Sequence, residues 1–327
     1  MNDYEIFRNL DNNKSVCLIS HISPDADALS SMIVLKDFLQ QHFHFKNVDL
    51  FAQTIDSVDF YKPILEEETL NPLKNAYDIA IMLDAPNVER LGNLKHLFED
   101  ANIKIVIDHH ATNNYCGNIN IVEMCSSTCE IIYSILSHYN FNISQKNKGK
   151  LYAGIITDTN NFTVGNFNSR TFEVVSKLID DIKKEDIYSY FLANNSIQQM
   201  SLLSKAVNNI TFYDDNKIII SHVSLEDIIN TNSSQNDCSC IINKLSTITG
   251  SKLVCFIYPT NNHEYYVSMR AKKDYDVSVI AKKFQGGGHT GAAAFLSTLP
   301  IDNIKEQVLQ EFQNQLKTTV VTTERLF

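Results

Sequence analysis

Eight side chains able to hold a hard metal ion or pass a proton stand in the first half of the chain, where apolar runs end. The densest group is Asp108, His109 and His110, which closes the run Lys104-Ile105-Val106-Ile107 and leads into Ala111-Thr112-Asn113. A carboxylate beside two imidazoles is costly to bury without partners, and open parallel sheets collect their ligands at the carboxyl ends of strands. The run from Ser15 to Ser20 is followed in the same way by His21, Asp25 and Asp27, and the run from Tyr77 to Leu83 by Asp84. The small-residue and apolar segment that starts at Lys150 meets Asp158. Each acid alone has a bland alternative as a helix cap or turn residue. As a set, carboxylates with imidazoles and no cysteine favour a Mn²⁺-like or Mg²⁺-like site over a soft-metal one. Eight candidates exceed what one ion requires, and two ions about 3.5 to 4 Å apart would clamp the attacking and leaving oxygens of a phosphoryl displacement.

The elements that must position these groups follow from the same runs. Ser15–Ser20, Asn47–Ala52, Tyr77–Leu83 and the stretch before Asp108 are continuous β-formers, the pattern of fully buried parallel strands. Pro24 breaks the first, and apolar residues at helical spacing from Ala28 to Gln41 place His21, Asp25 and Asp27 in the turn between strand and helix. Ser126-Ser127-Thr128 introduces a helix through about His138, and residues 166 to 182 read as a further capped helix in which Arg170 is a surface or helix-start residue. For Lys150 to Asp158, helix and strand both remain open, because Ala153 and Gly154 suit a close helix contact as well as a strand.

Beyond a helical connection with its likeliest break at Asn194-Asn195-Ser196, a strand-rich pattern begins with Lys217–Ser221 and Leu253–Tyr258. His263 to Arg270 alternates as a half-exposed strand with Arg270 on its polar face. A helix from Val277 to Phe284 then precedes Gln285-Gly286-Gly287-Gly288-His289, where three glycines allow a close backbone approach and present N–H groups to a phosphate. The small-residue run Gly291-Ala292-Ala293-Ala294 is expected to open a helix whose dipole adds to that attraction.

The chain has 327 residues, beyond the size at which one core keeps growing, so two domains are expected, and its hydrophobic fraction of 44% can fill both. A net charge of -10 argues against a long track for polyanionic nucleic acid while leaving room for a short nucleotide held by local charges. Seven cysteines, an odd number without zinc-ribbon spacing, point to a reducing cytoplasm rather than a disulfide framework. No signal peptide is visible and no segment approaches the roughly 20 apolar residues of a membrane span, so the expectation is a soluble, cytoplasmic protein with no membrane partner.

The motifs His21-x-x-Pro24-Asp25-x-Asp27-Ala28-x-x-Ser31, Asp84, Asp108-His109-His110 and Asp158, in that order, resemble the DHH phosphoesterase superfamily over essentially the whole chain. The resemblance implies an α/β protein with an N-terminal parallel-sheet DHH catalytic domain at 1–190, a linker at 191–209, and a smaller mixed α/β DHH-associated nucleotide-binding domain at 210–327. It implies two Mn²⁺ ions, with Mg²⁺ or Co²⁺ as substitutes. His21, Asp25 and Asp84 would hold one, and Asp27, Asp84, His109 and Asp158 the other, with Asp84 bridging. Asp108 would orient the ligating His109 and His110 would face the substrate phosphate, these two forming the catalytic pair. Arg270, Gly286, Gly287, Gly288 and His289 match the nucleotide site of the branch that resembles nanoRNases and 3'-phosphoadenosine-5'-phosphate phosphatases. Asn160, Gln285 and Ala294 stand where relatives often carry glycine.

The function implied is Mn²⁺-dependent hydrolysis of short oligoribonucleotides to mononucleotides, together with removal of the 3'-phosphate from phosphoadenosine phosphate. A cleft between the domains would restrict substrate length. The nearest alternative is a phosphodiesterase for linear or cyclic dinucleotide messengers. An inorganic pyrophosphatase leaves the glycine loop without a purpose, and a long-strand exonuclease conflicts with the charge. From another class, a non-catalytic nucleotide-binding regulator would lack bound or titratable Mn²⁺. A homodimer is the base-rate expectation for a soluble enzyme.

Overall fold

The computed structural model describes residues 3–53, 58–66, 68–72, 76–261, 264–272 and 274–324, and the chain divides into two compact units between Asn194 and Asn195. The first unit runs β1 Val16–Ile19, α1 Ala26–His42, β2 Val48–Phe51, α2 Val58–Leu65, β3 Ile79–Leu83, α3 Lys95–Glu99, β4 Ile103–Asp108, β5 Ile119–Val122, α4 Thr128–His138, α5 Gln145–Asp158, α6 Ser169–Leu178 and α7 Lys184–Leu192. Its five strands form one all-parallel sheet in the order β2-β1-β3-β4-β5. Side chains alternate across that sheet. Leu18, Ile81 and Ile107 face the core under α1, α4 and α5, while Cys17, Ala80, Met82 and Val106 face a second core with Leu97 and Phe98 of α3. Burial on both faces is why these strands read as unbroken apolar runs.

The segment from Lys150 to Asp158 is helical, within α5. Gly154 allows that helix to approach α1: a Cβ there would lie 2.4 Å from Cys129 Sγ and 2.9 Å from Asp27 Oδ1. Asp27 stands one residue further into structure than the turn expected for it, as the second residue of α1, because Asp25 takes the N-cap and accepts from the Ala28 N–H at 3.0 Å.

The second unit runs α8 Ile197–Asn208, β6 Thr211–Tyr213, β7 Ile218–His222, α9 Leu225–Asn230, α10 Ile241–Leu245, β8 Leu253–Asn261, β9 Glu264–Ala271, α11 Val277–Lys283, β10 Gly287–His289, β11 Ala292–Ser297 and α12 Ile301–Glu324. Its mixed sheet has the order β10-β11-β9-β8-β7-β6, with α11 and α12 packed over one face and α8 and α10 over the other. His263 lies outside the described residues. The helix expected after the glycines is instead strand β11, paired antiparallel with β9 from Ala292↔Arg270 to Ser297↔Tyr265. Ala293 and Phe295 point into the core while Leu296 stays exposed, a two-residue period that sheet pairing favours over the helix propensity of alanine. The described residues include no helix long and apolar enough to cross a membrane.

Candidate metal centre and nucleotide cavity

Five segments of the first unit deliver the acids and histidines to one place. His21 follows β1 with its Nδ1 bonded to the Ile22 carbonyl at 2.9 Å, which makes Nδ1 the donor and leaves Nε2 3.5 Å from Asp84 Oδ2. Asp84 follows β3 in a left-handed backbone conformation, φ 56°, that a non-glycine residue adopts at a cost. Its other oxygen, Oδ1, lies 3.5 Å from His109 Nε2 and accepts from the Thr128 hydroxyl at 3.0 Å. Asp84 therefore presents one oxygen to each of two histidines.

Asp27 is buried at the N-terminus of α4, where its carboxylate accepts from the Thr128 N–H at 2.7 Å and the Cys129 N–H at 2.9 Å. Asp158 closes α5 with Oδ2 3.5 Å from His109 Nε2. The donor atoms gather in three overlapping groups within 4.8 Å: His21, Asp25 and Asp84; Asp27, His109 and Asp158; and Asp84, His109 and His110.

The triplet divides differently from expectation. Asp108 Oδ1 accepts from His110 Nδ1 at 2.7 Å and Oδ2 from Asn113 Nδ2 at 2.6 Å, so Asp108 orients His110 and not His109. Both histidines lie beyond the end of β4 with ring centroids 4.5 Å apart, so what separates them is the hydrogen-bond partner of each Nδ1. His109 is oriented by the Cys125 carbonyl, 3.4 Å from its Nδ1.

Burial alone would lower the histidines, but the Asp84 carboxylate outweighs it and pushes His21 up to about 9 and His109 up to about 10. His110 is also raised against its burial, first by its bond to Asp108. Burial pushes Asp25, Asp27 and Asp158 up, Asp158 to about 7. Burial works in the same direction on Asp84, yet His109 and His21 hold it well below the usual carboxylate range. Among the described residues, His109 Nε2 is buried without a hydrogen-bond partner. An orphaned imidazole nitrogen among crowded carboxylates is a donor set that fits hard divalent cations.

In the second unit, a cavity of about 320 Å³ is lined by Tyr258, Tyr266, Ser268, Arg270, Gly287 and Gly288 among others. The two tyrosines are cross-strand partners with ring centroids 5.3 Å apart. Arg270 donates from Nε to Asn243 Oδ1 at 3.1 Å and from Nη1 to the Met269 carbonyl at 3.0 Å, and Nη2 takes no acceptor among the described residues. Gly286 is absent from the lining, and a Cβ on it would lie 2.2 Å from the Ala294 carbonyl, so that glycine serves the hairpin itself. Gly288 adopts φ 138°, and Gln285 takes φ 60° where glycine would be unstrained. His289 lies on β10, but its side chain is outside the description.

Sequence reasoning missed Thr128, the Cys129 N–H and Asn243, which act through contacts distant in sequence, and Asn113, whose partner Asp108 is close by in the chain. It also missed the tyrosine pair, although Tyr258 and Tyr266 stood on the strands it expected.

A sequence model of the DHH family, N-terminal domain, matches residues 15–157, and one of the DHHA1 domain matches residues 215–322. A protein of Streptococcus mutans named as a probable bifunctional oligoribonuclease and PAP phosphatase is 26% identical over 312 residues, 93% of this chain and 95% of its own. A Bacillus subtilis protein named as a bifunctional oligoribonuclease and PAP phosphatase is 24% identical over 293 residues, 87% of this chain and 90% of its own. The solved structure of an exopolyphosphatase-related protein from Bacteroides fragilis shares the fold, with a TM-score of 0.82 at 22% identity over 98% of this chain and 97% of that one. A DHH domain followed by a DHHA1 domain, over strand-end acids and histidines in the order described, places this chain in the DHH superfamily of phosphoester hydrolases, to which it belongs.

Proposed function

We propose that this hydrolase cleaves short oligoribonucleotides to mononucleotides in a Mn²⁺-dependent reaction, and that it also removes the 3'-phosphate of phosphoadenosine phosphate. The observation that carries the metal reading is Asp84, whose two oxygens face His21 and His109 at 3.5 Å each. In this reading His21, Asp25 and Asp84 hold one ion, and Asp27, Asp84, His109 and Asp158 the other. When bound, two divalent cations supply Lewis acidity at a phosphoryl oxygen and neutralise developing charge.

The remaining roles fall to the chain's own side chains. Asp108 keeps His110 protonated at Nδ1 and fixes its ring, so His110 can donate a hydrogen bond to a substrate phosphate oxygen through a second protonated nitrogen. Arg270 offers Nη2 to a further phosphate, and the Tyr258–Tyr266 pair offers an aromatic surface to a base. A cavity of about 320 Å³ suits a nucleotide-sized ligand. The net charge of -10 supports short substrates over long ones.

The test is a substrate panel with Mn²⁺: labelled short RNA, phosphoadenosine phosphate, and linear and cyclic di-adenylate. Mononucleotide release from short RNA, absent in Asp84→Ala, is expected. Faster turnover of the di-adenylates would transfer the reading to a messenger phosphodiesterase, and no release by the wild-type protein from any of them would end it.

A further inference from the structure

Glu130, in the first turn of α4, is fully buried and belongs to none of the donor groups just described. Its Oε2 accepts from the Ser126 N–H at 3.2 Å, the Ser126 hydroxyl at 2.5 Å and the Thr171 hydroxyl at 2.8 Å. Oε1 has no hydrogen-bond partner among the described residues, and Arg170 Nε stands 3.6 Å away, with that arginine held by Glu123 at 2.7 Å and Ser134 at 2.8 Å. A glutamate early in a helix gains from the dipole while fully solvated, so the dipole does not account for complete burial.

Glu130 bonds Ser126, and the residues on either side of Ser126, 125–129, touch three candidate ligands. The Cys125 carbonyl holds His109 through Nδ1, the Thr128 and Cys129 N–H groups hold Asp27, and the Thr128 hydroxyl holds Asp84. Their positions thus depend on a short piece of backbone anchored by one buried carboxylate.

We propose that Glu130 is a positioning residue for the metal centre, acting through Ser126 and the start of α4, with Arg170 as its counter-charge. The inference rests on the reading of His109, Asp27 and Asp84 as metal ligands. In Glu130→Gln the shape is kept, but a neutral oxygen replaces the anionic acceptor of three donors and an amide N–H₂ is set against Ser126 or Arg170. Small displacements of the segment then pass directly to the ligands. Losses in metal affinity of about 10- to 100-fold are typical when groups that orient ligands are changed.

The experiment measures Mn²⁺ binding to the full chain by calorimetric titration without substrate, alongside the Tm of the metal-free protein. The proteins are wild type, Glu130→Gln, Ser126→Ala and Val174→Ala, the last a core truncation in α6 that sets the effect of destabilisation alone. Expected is Mn²⁺ binding about tenfold weaker or more in Glu130→Gln and weaker in Ser126→Ala, with affinity retained in Val174→Ala despite its lower Tm. Wild-type affinity in both site variants, or an equal loss in Val174→Ala, would overturn the proposal while leaving the metal reading in place. Wild-type protein that binds no Mn²⁺ overturns both. If Glu130→Gln does not fold, Ser126→Ala decides the matter, since it keeps the buried charge and the backbone N–H bond and removes the hydroxyl half of the link.

Discussion

The candidate metal centre and the cavity proposed for a nucleotide are built to opposite tolerances. At the metal centre, His21, Asp27, Asp84 and Asp108 are buried, and backbone amides, carbonyls or neighbouring side chains hold each in place. The cavity is walled by side chains on an antiparallel face and by a glycine hairpin, and Arg270 is only partly buried. Where groups are both charged and buried, a small displacement leaves a charge unpaired, whereas a half-exposed wall can readjust or admit water. Damage to the first region should therefore appear in the chemical step and in ion affinity, and damage to the second in substrate affinity.

The sharpest way to break this contrast is Asp84→Ala. Steady-state kinetics should show kcat falling by more than about 100-fold, the upper end of what the loss of a mere orienting group costs. A kcat within tenfold of wild type would show that Asp84 is not shared between two ions. Arg270→Lys should keep kcat and raise KM by roughly 10- to 100-fold, from losing a charged hydrogen bond of about 1.5–3 kcal/mol. A fall in kcat alone would place Arg270 with the chemistry.

Gly154→Ala probes how tightly the first region is closed. Its new methyl meets Cys129 Sγ and Asp27 Oδ1, so denaturant unfolding should show a loss of about 1–3 kcal/mol, together with weaker Mn²⁺ binding. Proton release sharpens the same point. With His21 raised to about 9 and His109 to about 10 in the metal-free protein, an incoming ion displaces protons at neutral pH. Affinity should climb by about tenfold per pH unit for each displaced proton and flatten above the two histidine values; a profile flat from pH 7 to 9 would contradict the ligand roles. The smallest effect is expected at the hairpin, where Gln285→Gly relieves a left-handed backbone and should stabilise by about 0.5 kcal/mol after the greater unfolded-state freedom of glycine is deducted. Destabilisation would mean that the Gln285 side chain contributes to the hairpin.

Much of the first sheet was legible because burial on both faces leaves a one-dimensional trace: four apolar runs, three of them followed at once by an acid or histidine. The wrong partner for Asp108 came from reading the triplet alone, because the carbonyl that takes the Nδ1 of His109 belongs to Cys125, 16 residues further on, and leaves Asp108 to His110. The helix assigned to Ala292–Ala294 failed for a different reason: three small residues follow no period until β9 selects one face of them. Glu130 was invisible in another way, because an acid in the first turn of a helix is the usual solvated arrangement and only Ser126, Thr171 and Arg170 mark it as interior.

The hold of Thr128 and Cys129 on Asp27 also has a consequence in time. Those amides lie 101 and 102 positions downstream of the carboxylate they pair with. At about 5–20 residues per second, a ribosome takes roughly 5 to 20 s to make the intervening chain. Through that interval α1 cannot settle in its final place without stranding an acid, so the nascent sheet must wait with Asp27 in water until α4 emerges to receive it.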